Sequence, residues 1–537
     1  MKKTRTSLLA GDVTRRDLMR LMGVGAAAGA LGMSGAQVLA QTPVAGDRPA
    51  ITIGVQSMPD SLDPAIAGGS VVGARTLYSI YDYLLESDYL GGETPGLGSE
   101  IIPSLATSWT QIDDVTVEFV LRDDVTFHNG TKLTASDVKY SVDRIIAPDA
   151  DPALAGNVGN FSTFDSIEVI DETTFRIITK APDPALIQGL TYGAFWTVPQ
   201  AHVEDVGNEV FGQMPVGTGP YQVTEFVPGD HLTMTAYDGY WGSPAAFSQV
   251  TIRVIPETAT RIAGVQSNEL QLITTVPPDQ LAELAGDANV ATMSIPIANC
   301  HIYFFNTKHP NVANKLVRQG LNRGFDRKAI IDSLWHGRAD YMQSYQLERW
   351  GDFFNPARDP FAYDPDAAKA LLEEGGYNGE EIVYTSHSGY YLLGVEAAQV
   401  IVASWQALGV NARLELTDGF VEDPENMMIH TWSNSLAPND PVYTFWKWWG
   451  PNGTPQAQGF WTPEDARFNG ELADTLLGSL DHAARVQAYQ EILDIWDDEA
   501  PAGILYNQHE TYVQRAEIGW QPYTIYGMDL RQQAIKK

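Results

Sequence analysis

Seven aromatic rings crowd one stretch of the chain: Trp432, Phe445, Trp446, Trp448, Trp449, Phe460 and Trp461. Such rings can stack on sugar faces, peptide side chains or quaternary ammonium groups, although core packing accounts for most of them, and Trp432 and Trp446 are expected to face a ligand. Asn434 and Asn439 stand among them and can donate and accept hydrogen bonds without charge, while Asp440 adds a carboxylate. Near the start, Met58, Asp60 and Ser61 follow the end of a first strand, a usual place for ligand contacts in open α/β sheets. All of this is recognition chemistry. Catalytic spacing is thin: there is no Gly-x-Ser-x-Gly elbow, no phosphate loop ending in Gly-Lys, and His509-Glu510 meets Val513 where a zinc helix needs a second histidine. His128 has no partner ligand two to four residues on, so it reads as a loop imidazole bonded to backbone, and no metal or other cofactor is expected.

Composition narrows the classes further. The balance of 34 basic against 67 acidic residues gives −33 over 537 residues. No clustered positive surface follows the N-terminus, which excludes nucleic acid as a partner. Cys300 is the only cysteine, so no intrachain disulfide or multi-cysteine metal site can form. A lipid-anchoring cysteine is missing as well, and the expectation is a protein not anchored to a membrane.

Residues 1–40 read as an export signal: a basic start from Lys2 to Arg20, an uncharged Gly/Ala-rich stretch over 21–36, and small residues before a cut at Gln41. Arg15-Arg16 point to the twin-arginine (Tat) route and hence to the periplasm. Removing six basic and two acidic residues leaves 28 against 65, a net −37.

The elements that must position these side chains follow from periodicity. Residues 51–55 form a first strand and 73–86 are expected as a helix. A strand alternating through Val115, Val117, Phe119 and Leu121 leads by a turn at Asn129-Gly130 into a helix. Thr134 is its N-cap, Asp137 stands three residues on, and its apolar face is Val138, Val142 and Ile145. In Pro215-Val216-Gly217-Thr218-Gly219-Pro220-Tyr221 the two glycines are expected at positive φ, with a hairpin turning at Pro228-Gly229-Asp230. The run over 299–307 alternates Cys300, Ile302 and Phe304 against His301, Tyr303 and Phe305, and residues 318–332 are helical. Later helices cover 364–375, 394–408 and 482–499, with a strand at 410–416.

Three blocks together resemble the family 5 solute-binding proteins, the peptide, opine and nickel receptors of bacterial ABC importers. They are the Pro215–Tyr221 segment with its hairpin; Leu105-Ala106-Thr107-Ser108-Trp109 with Phe127-His128-Asn129-Gly130; and Tyr237-Asp238-Gly239-Tyr240-Trp241-Gly242. The resemblance implies an α/β, periplasmic binding protein type II-like fold: two hinged lobes with an extra subdomain in the first, the cluster C type. On that pattern lobe I is 41–97, 207–298 and 506–537, its subdomain is 98–206, and lobe II is 299–505. It implies a monomer that closes on a small-molecule or peptide ligand and delivers it to ABC permease transmembrane subunits, without catalysis.

Dipeptide receptors of the family hold the ligand carboxylate with an arginine in an Arg-Pro-Tyr segment and its amine with an aspartate. Here Ser388-Gly389-Tyr390 aligns with the first, and Ser435 or Ala437 with the second. Tyr390 and Tyr391, in a Gly-flanked loop that faces the cleft in relatives, are expected ligand contacts with Ser388 and Tyr303, and Asp440 is a substitute for the aspartate. The ligand is therefore expected to be peptide-like but not a simple dipeptide: uncharged, cationic or longer. The alternatives are an oligosaccharide or opine-like solute, or a secreted carboxylate hydrolase.

Overall fold

Alternation along the strands, turn residues between them and capped helices build a three-part sheet framework. It is seen in a computed structural model that describes residues 48–536 apart from 69, 92–95, 97, 99, 148–149, 152–153, 155–160, 193–194, 389–390 and 419–425. The expected export signal and Tyr390 lie outside the described residues.

The strands are β1 (Ala50–Val55), β2 (Leu85–Ser87), β3 (Ile101–Pro103), β4 (Ala106–Asp113), β5 (Thr116–Leu121), β6 (Phe164–Val169), β7 (Thr174–Thr179), β8 (Tyr221–Val227), β9 (His231–Ala236), β10 (Gln249–Val254), β11 (Leu272–Thr274), β12 (Val290–Phe305), β13 (Ala339–Asp340), β14 (Ile382–His387), β15 (Ala412–Thr417), β16 (Ile429–Ser435) and β17 (Ala502–Arg515). One sheet runs β15-β14-β16-β12-β17-β11-β1-β10-β9-β8, with β13 added on β17; β4-β5-β7-β6 make a separate sheet and β2-β3 a ribbon. The antiparallel pair β12 and β17 is long because it serves both ends of the large sheet. Val290 to Pro296 face Arg515 to His509 at one end, and Cys300 to Phe304 face Asn507 to Ala502 at the other, with a register shift between.

Why β12 is apolar on both sides follows from what covers it. Cys300, Ile302 and Phe304 enter one core with Tyr345, Phe445, Trp449, Trp461 and Trp496. Tyr303 and Phe305 enter another, with Phe325, Tyr384, Ile401 and Trp405. A strand buried on both faces cannot alternate apolar with polar. The remaining cores are built from the other end of the sheet and the small sheet, including Ile53, Phe119, Tyr221, Leu232 and Trp520, with a satellite around Val265, Ile273, Leu281 and Val513. The apolar interiors thus fall into two sets that meet only along β12 and β17, the two lobes of a type II periplasmic-binding-protein fold.

Local expectations meet the structure in detail. The helix Ala135–Ile146 starts where Thr134 stands, with the Asp137 carboxylate accepting from the Thr134 backbone N–H at 2.9 Å. Val138, Val142 and Ile145 are buried. The helical region at 318–332 is two helices, Lys315–Arg323 and Arg327–Leu334, because Asp326 caps the second by accepting from Ala329 N at 3.0 Å. The helix expected over 73–86 is shorter, Val71–Leu77. The chain beyond it is taken by another partner: the carbonyls of Ser79 and Ile80 accept from Tyr221 N (3.1 Å) and Gly219 N (2.9 Å).

That pairing also corrects the reading of Gly217 and Gly219, neither of which has a positive φ. A Cβ on either would collide with the Ile80 backbone. Glycine is needed there for close approach of two chains, not for handedness. Gly229, in the hairpin turn, does have φ 76°.

Candidate functional site

The first wall of the cleft comes from residues following β2 and the loop after helix Leu186–Gly189: Tyr89, Gly98, Thr191 and Tyr192. Tyr89 is held by stacking on Tyr523, ring centroids 4.8 Å apart. The facing wall comes from the loop after β16, Ala437, Pro438 and Asn439, and from Arg349 in the turn Glu348–Phe353. Ala298 of β12 and Thr524 close the floor, the Thr524 hydroxyl donating to Pro296 O at 2.7 Å. Between the walls lies a cavity of about 10 Å³. That is room for about one water, whereas ligand sites usually hold ~300–1,000 Å³, so the cleft is close to shut.

Contacts across the cleft are polar and sparse. Asn439 Nδ2 donates to Gly98 O at 3.2 Å. The Tyr192 hydroxyl faces the Ser435 side chain. The Tyr443 hydroxyl sits where a Cβ on Gly189 would be. Since each lobe buries its own apolar core, separating them uncovers tyrosines and amides rather than core side chains.

Arg349 is the charged group of this cleft. Its Nε donates to Asn439 Oδ1 (3.1 Å) and its Nη2 to Leu436 O (3.4 Å). Burial pulls its pKa down to about 10, with only Tyr89, Asp340 and Cys300 opposing.

Of the residues expected from sequence, Asn439 lines this cavity. Asp440 does not: both its oxygens accept from Arg485 Nη2 at 2.9 Å, and the pair is buried. Its carboxylate is committed inside lobe II, which corrects its role as a substitute amine anchor. Asn434 is buried as well, accepting from the Tyr345 hydroxyl at 3.0 Å. Tyr303 is a core residue whose hydroxyl donates to Asn322 Oδ1 at 2.7 Å. Trp432 packs edge-on to Phe304 and Trp448, and Trp446 stacks on Phe468. Met58 is buried in the lobe I core. Ser61 accepts from Asp63 N at 3.2 Å beside it, and Asp60 is exposed, its carbonyl accepting from Gln213. Ser388 donates to Asp418 at 3.2 Å, and Tyr391 lies edge-on to His301, ring centroids 4.3 Å apart. Sequence reasoning missed Arg349, Tyr89, Thr191, Tyr192 and Thr524, whose neighbours carry no spacing that marks a site.

His128 is the structural imidazole expected: Nδ1 accepts from Gly217 N (3.2 Å), which leaves Nε2 to donate to Gly219 O (2.9 Å). Among the described residues no group of three or more His, Cys, Asp or Glu could hold a metal ion.

With this geometry in hand, comparisons with known proteins are specific. The family model for bacterial extracellular solute-binding proteins, family 5 (middle region), matches residues 100–461. Heme-binding protein A of Haemophilus influenzae is 26% identical over 448 residues, 75% of this chain and 78% of that protein. The dipeptide-binding protein of Escherichia coli K12 is 23% identical over 485 residues, 84% of this chain and 88% of that one. The structure of the ABC transporter-associated periplasmic binding protein DppA of Helicobacter pylori, in complex with the peptide STSA, matches with a TM-score of 0.74 at 21% identity. It covers 89% of this chain and 96% of that chain, a likeness of fold.

Proposed function

Because the chain belongs to the bacterial extracellular solute-binding proteins of family 5, we propose that it captures a peptide or peptide-like solute between its lobes and passes it to the transmembrane subunits of an ABC importer. The observation that carries this reading is a cavity walled by both lobes, Tyr89 and Tyr192 on one side and Arg349 and Asn439 on the other, with two strands, β12 and β17, joining the lobes among the described residues. A solute touching both walls stabilises the shut form over the open one, and that difference is what a permease can read.

The lobe boundaries 41–97 + 207–298 + 506–537, 98–206 and 299–505 are part of the same reading. The division of cores at β12 and β17 supports them, as does the confinement of β4 to β7 within 98–206. A binding rather than catalytic role is supported by the similar proteins, which are solute-binding proteins. The rings that would favour a stacked sugar, Trp432 and Trp446, do not line that cavity. Export by the twin-arginine signal to the periplasm as an unanchored monomer completes the proposal. Among the described residues no helix is long and apolar enough to cross a membrane.

Two measurements test it. Native mass spectrometry of protein purified from the periplasm should reveal a co-purifying solute of peptide mass. Small-angle scattering should then report contraction when that solute is returned to stripped protein. A chain that carries no solute, binds none across peptides, opines and sugars, and keeps one radius of gyration throughout would refute the receptor reading. Replacing Arg15-Arg16 by Lys-Lys should trap the precursor in the cytoplasm.

A further inference from the structure

Arg349, half-buried, differs from the buried arginines of this chain. Arg144 pairs with Asp63 at 2.6 Å, Arg358 with Asp497 at 2.7 Å, Arg485 with Asp440 at 2.9 Å and Arg531 with Asp529 at 2.8 Å. Arg318 and Arg327 lack a carboxylate, but each is wrapped by backbone carbonyls: Val312, Ala313, Glu499 and Ala500 around the first, Asn322, Phe361 and Ile504 around the second. Arg349 has neither arrangement. Its five N–H donors meet two neutral oxygens, one of them at 3.4 Å, and no described carboxylate lies within ion-pair distance. The acid that acts on it, Asp340, is engaged by His509 at 3.2 Å. A chain with 67 acidic residues has no shortage of partners to place there.

Its position is equally particular. Arg349 is the one residue shared by the linings of the interlobe cavity and of a second cavity of about 290 Å³ formed with Pro296, Asp340, Tyr341, Gln346, Glu348 and Asn507. A guanidinium stays protonated at neutral pH, and holding its charge partly out of water without a carboxylate partner costs free energy that an anion arriving from outside can recover.

Resting on the receptor reading above, we propose that Arg349 is the anion anchor of the ligand site: it binds a carboxylate or similar oxyanion of the solute, with Tyr89 and Tyr192 closing on it from the opposite lobe. The interlobe cavity offers no described acid to match an ammonium group. The ligand class is therefore a solute with a free terminal oxyanion and no required free amine, which keeps the longer ligand expected from sequence and sets aside the uncharged and cationic ones.

The test is calorimetry and thermal shift on the purified full mature chain, with tri- and tetraalanine as free acids, as C-terminal amides and as N-acetylated acids, and with phosphate and citrate as non-peptide oxyanions. The free and N-acetylated acids should bind alike, the amides roughly 30-fold or more weaker, and Arg349→Gln should lose affinity by a similar factor together with the acid-over-amide preference. Ligand-free Arg349→Met should melt at the same temperature or higher, because it removes a half-buried charge that no carboxylate offsets. Equal binding of acids and amides, or unchanged affinity in Arg349→Gln, overturns the anchor and leaves the receptor reading standing. A ligand-free Arg349→Met that melts much lower makes Arg349 a clamp on residues 436–439 and also overturns it. Binding of phosphate or citrate alone, lost in Arg349→Gln, supports the anchor and removes the peptide from the reading. No binding by any probe overturns both.

Discussion

His128 uses both ring nitrogens on the backbone of Gly217 and Gly219, so it must stay neutral to keep both bonds. Burial pulls its pKa down from 6.5 to about 4. As pH falls, the unfolded chain takes the proton first. The stability held by the neutral ring is intact above pH 6.5 and is lost as pH drops through 4, up to about 3 kcal/mol. Urea unfolding at pH 7 and pH 4.5 should therefore show a steeper loss for the wild type than for His128→Gln, which cannot titrate. Asp440 tests a different residue-scale idea. Removing one member of a buried ion pair costs about 3–5 kcal/mol. Asp440→Ala should lower the urea midpoint accordingly, and Asp440→Leu with Arg485→Met should recover much of it. A stable Asp440→Ala with a selective loss of amine-bearing ligands would instead return Asp440 to the site. The types of these residues were legible in the sequence; which of them already had a partner was not, because Arg485 stands 45 residues from Asp440.

The Pro215–Tyr221 element was located by its residues, yet its glycines act differently from what local chemistry implies. A turn motif advertises backbone freedom, whereas Gly217 and Gly219 supply empty space against Ile80, a neighbour far away in sequence. Gly217→Ala should accordingly cost more than about 3 kcal/mol or prevent folding, since backbone cannot yield as a side chain does. Gly130, at φ 82° with nothing within 4 Å, is the contrast: its alanine variant should lose only about 1–2 kcal/mol. Equal effects from the two substitutions in chemical denaturation would remove the close-approach account. The same captured segment explains the shortened helix Val71–Leu77, where tertiary hydrogen bonds to Ser79 and Ile80 override a helical pattern. Helices read from caps and apolar spacing, such as Pro365–Glu374 and His482–Glu499, stand where expected because their signals are local.

At the scale of the molecule, closure depends on two walls meeting without obstruction. Gly189 in lobe I lies against the Tyr443 hydroxyl of lobe II, so a side chain there is a wedge. Gly189→Val should favour the open form and weaken solute binding roughly 10-fold, corresponding to about 1.4 kcal/mol. Tyr443→Ala in the same protein should relieve the wedge and restore most of the affinity. Scattering of the single and double variants, with and without solute, checks this directly. If Gly189→Val bound and contracted like the wild type, this contact would have no part in closure.

By itself the sequence determined the elements, the family and the two-lobe plan, since periodicity, caps and the Pro215–Tyr221 and Leu105–Gly130 blocks are carried by neighbours along the chain. Only the tertiary structure decided which polar groups face the cleft. Asn434, Asp440 and Tyr303 are drawn into lobe II by partners remote in sequence, while Arg349, in an unremarkable turn, is left facing the gap with its charge unmatched. The physical reason is that availability for a ligand is the remainder after every internal hydrogen bond and ion pair has formed, and those pairings depend on contacts that no local pattern encodes.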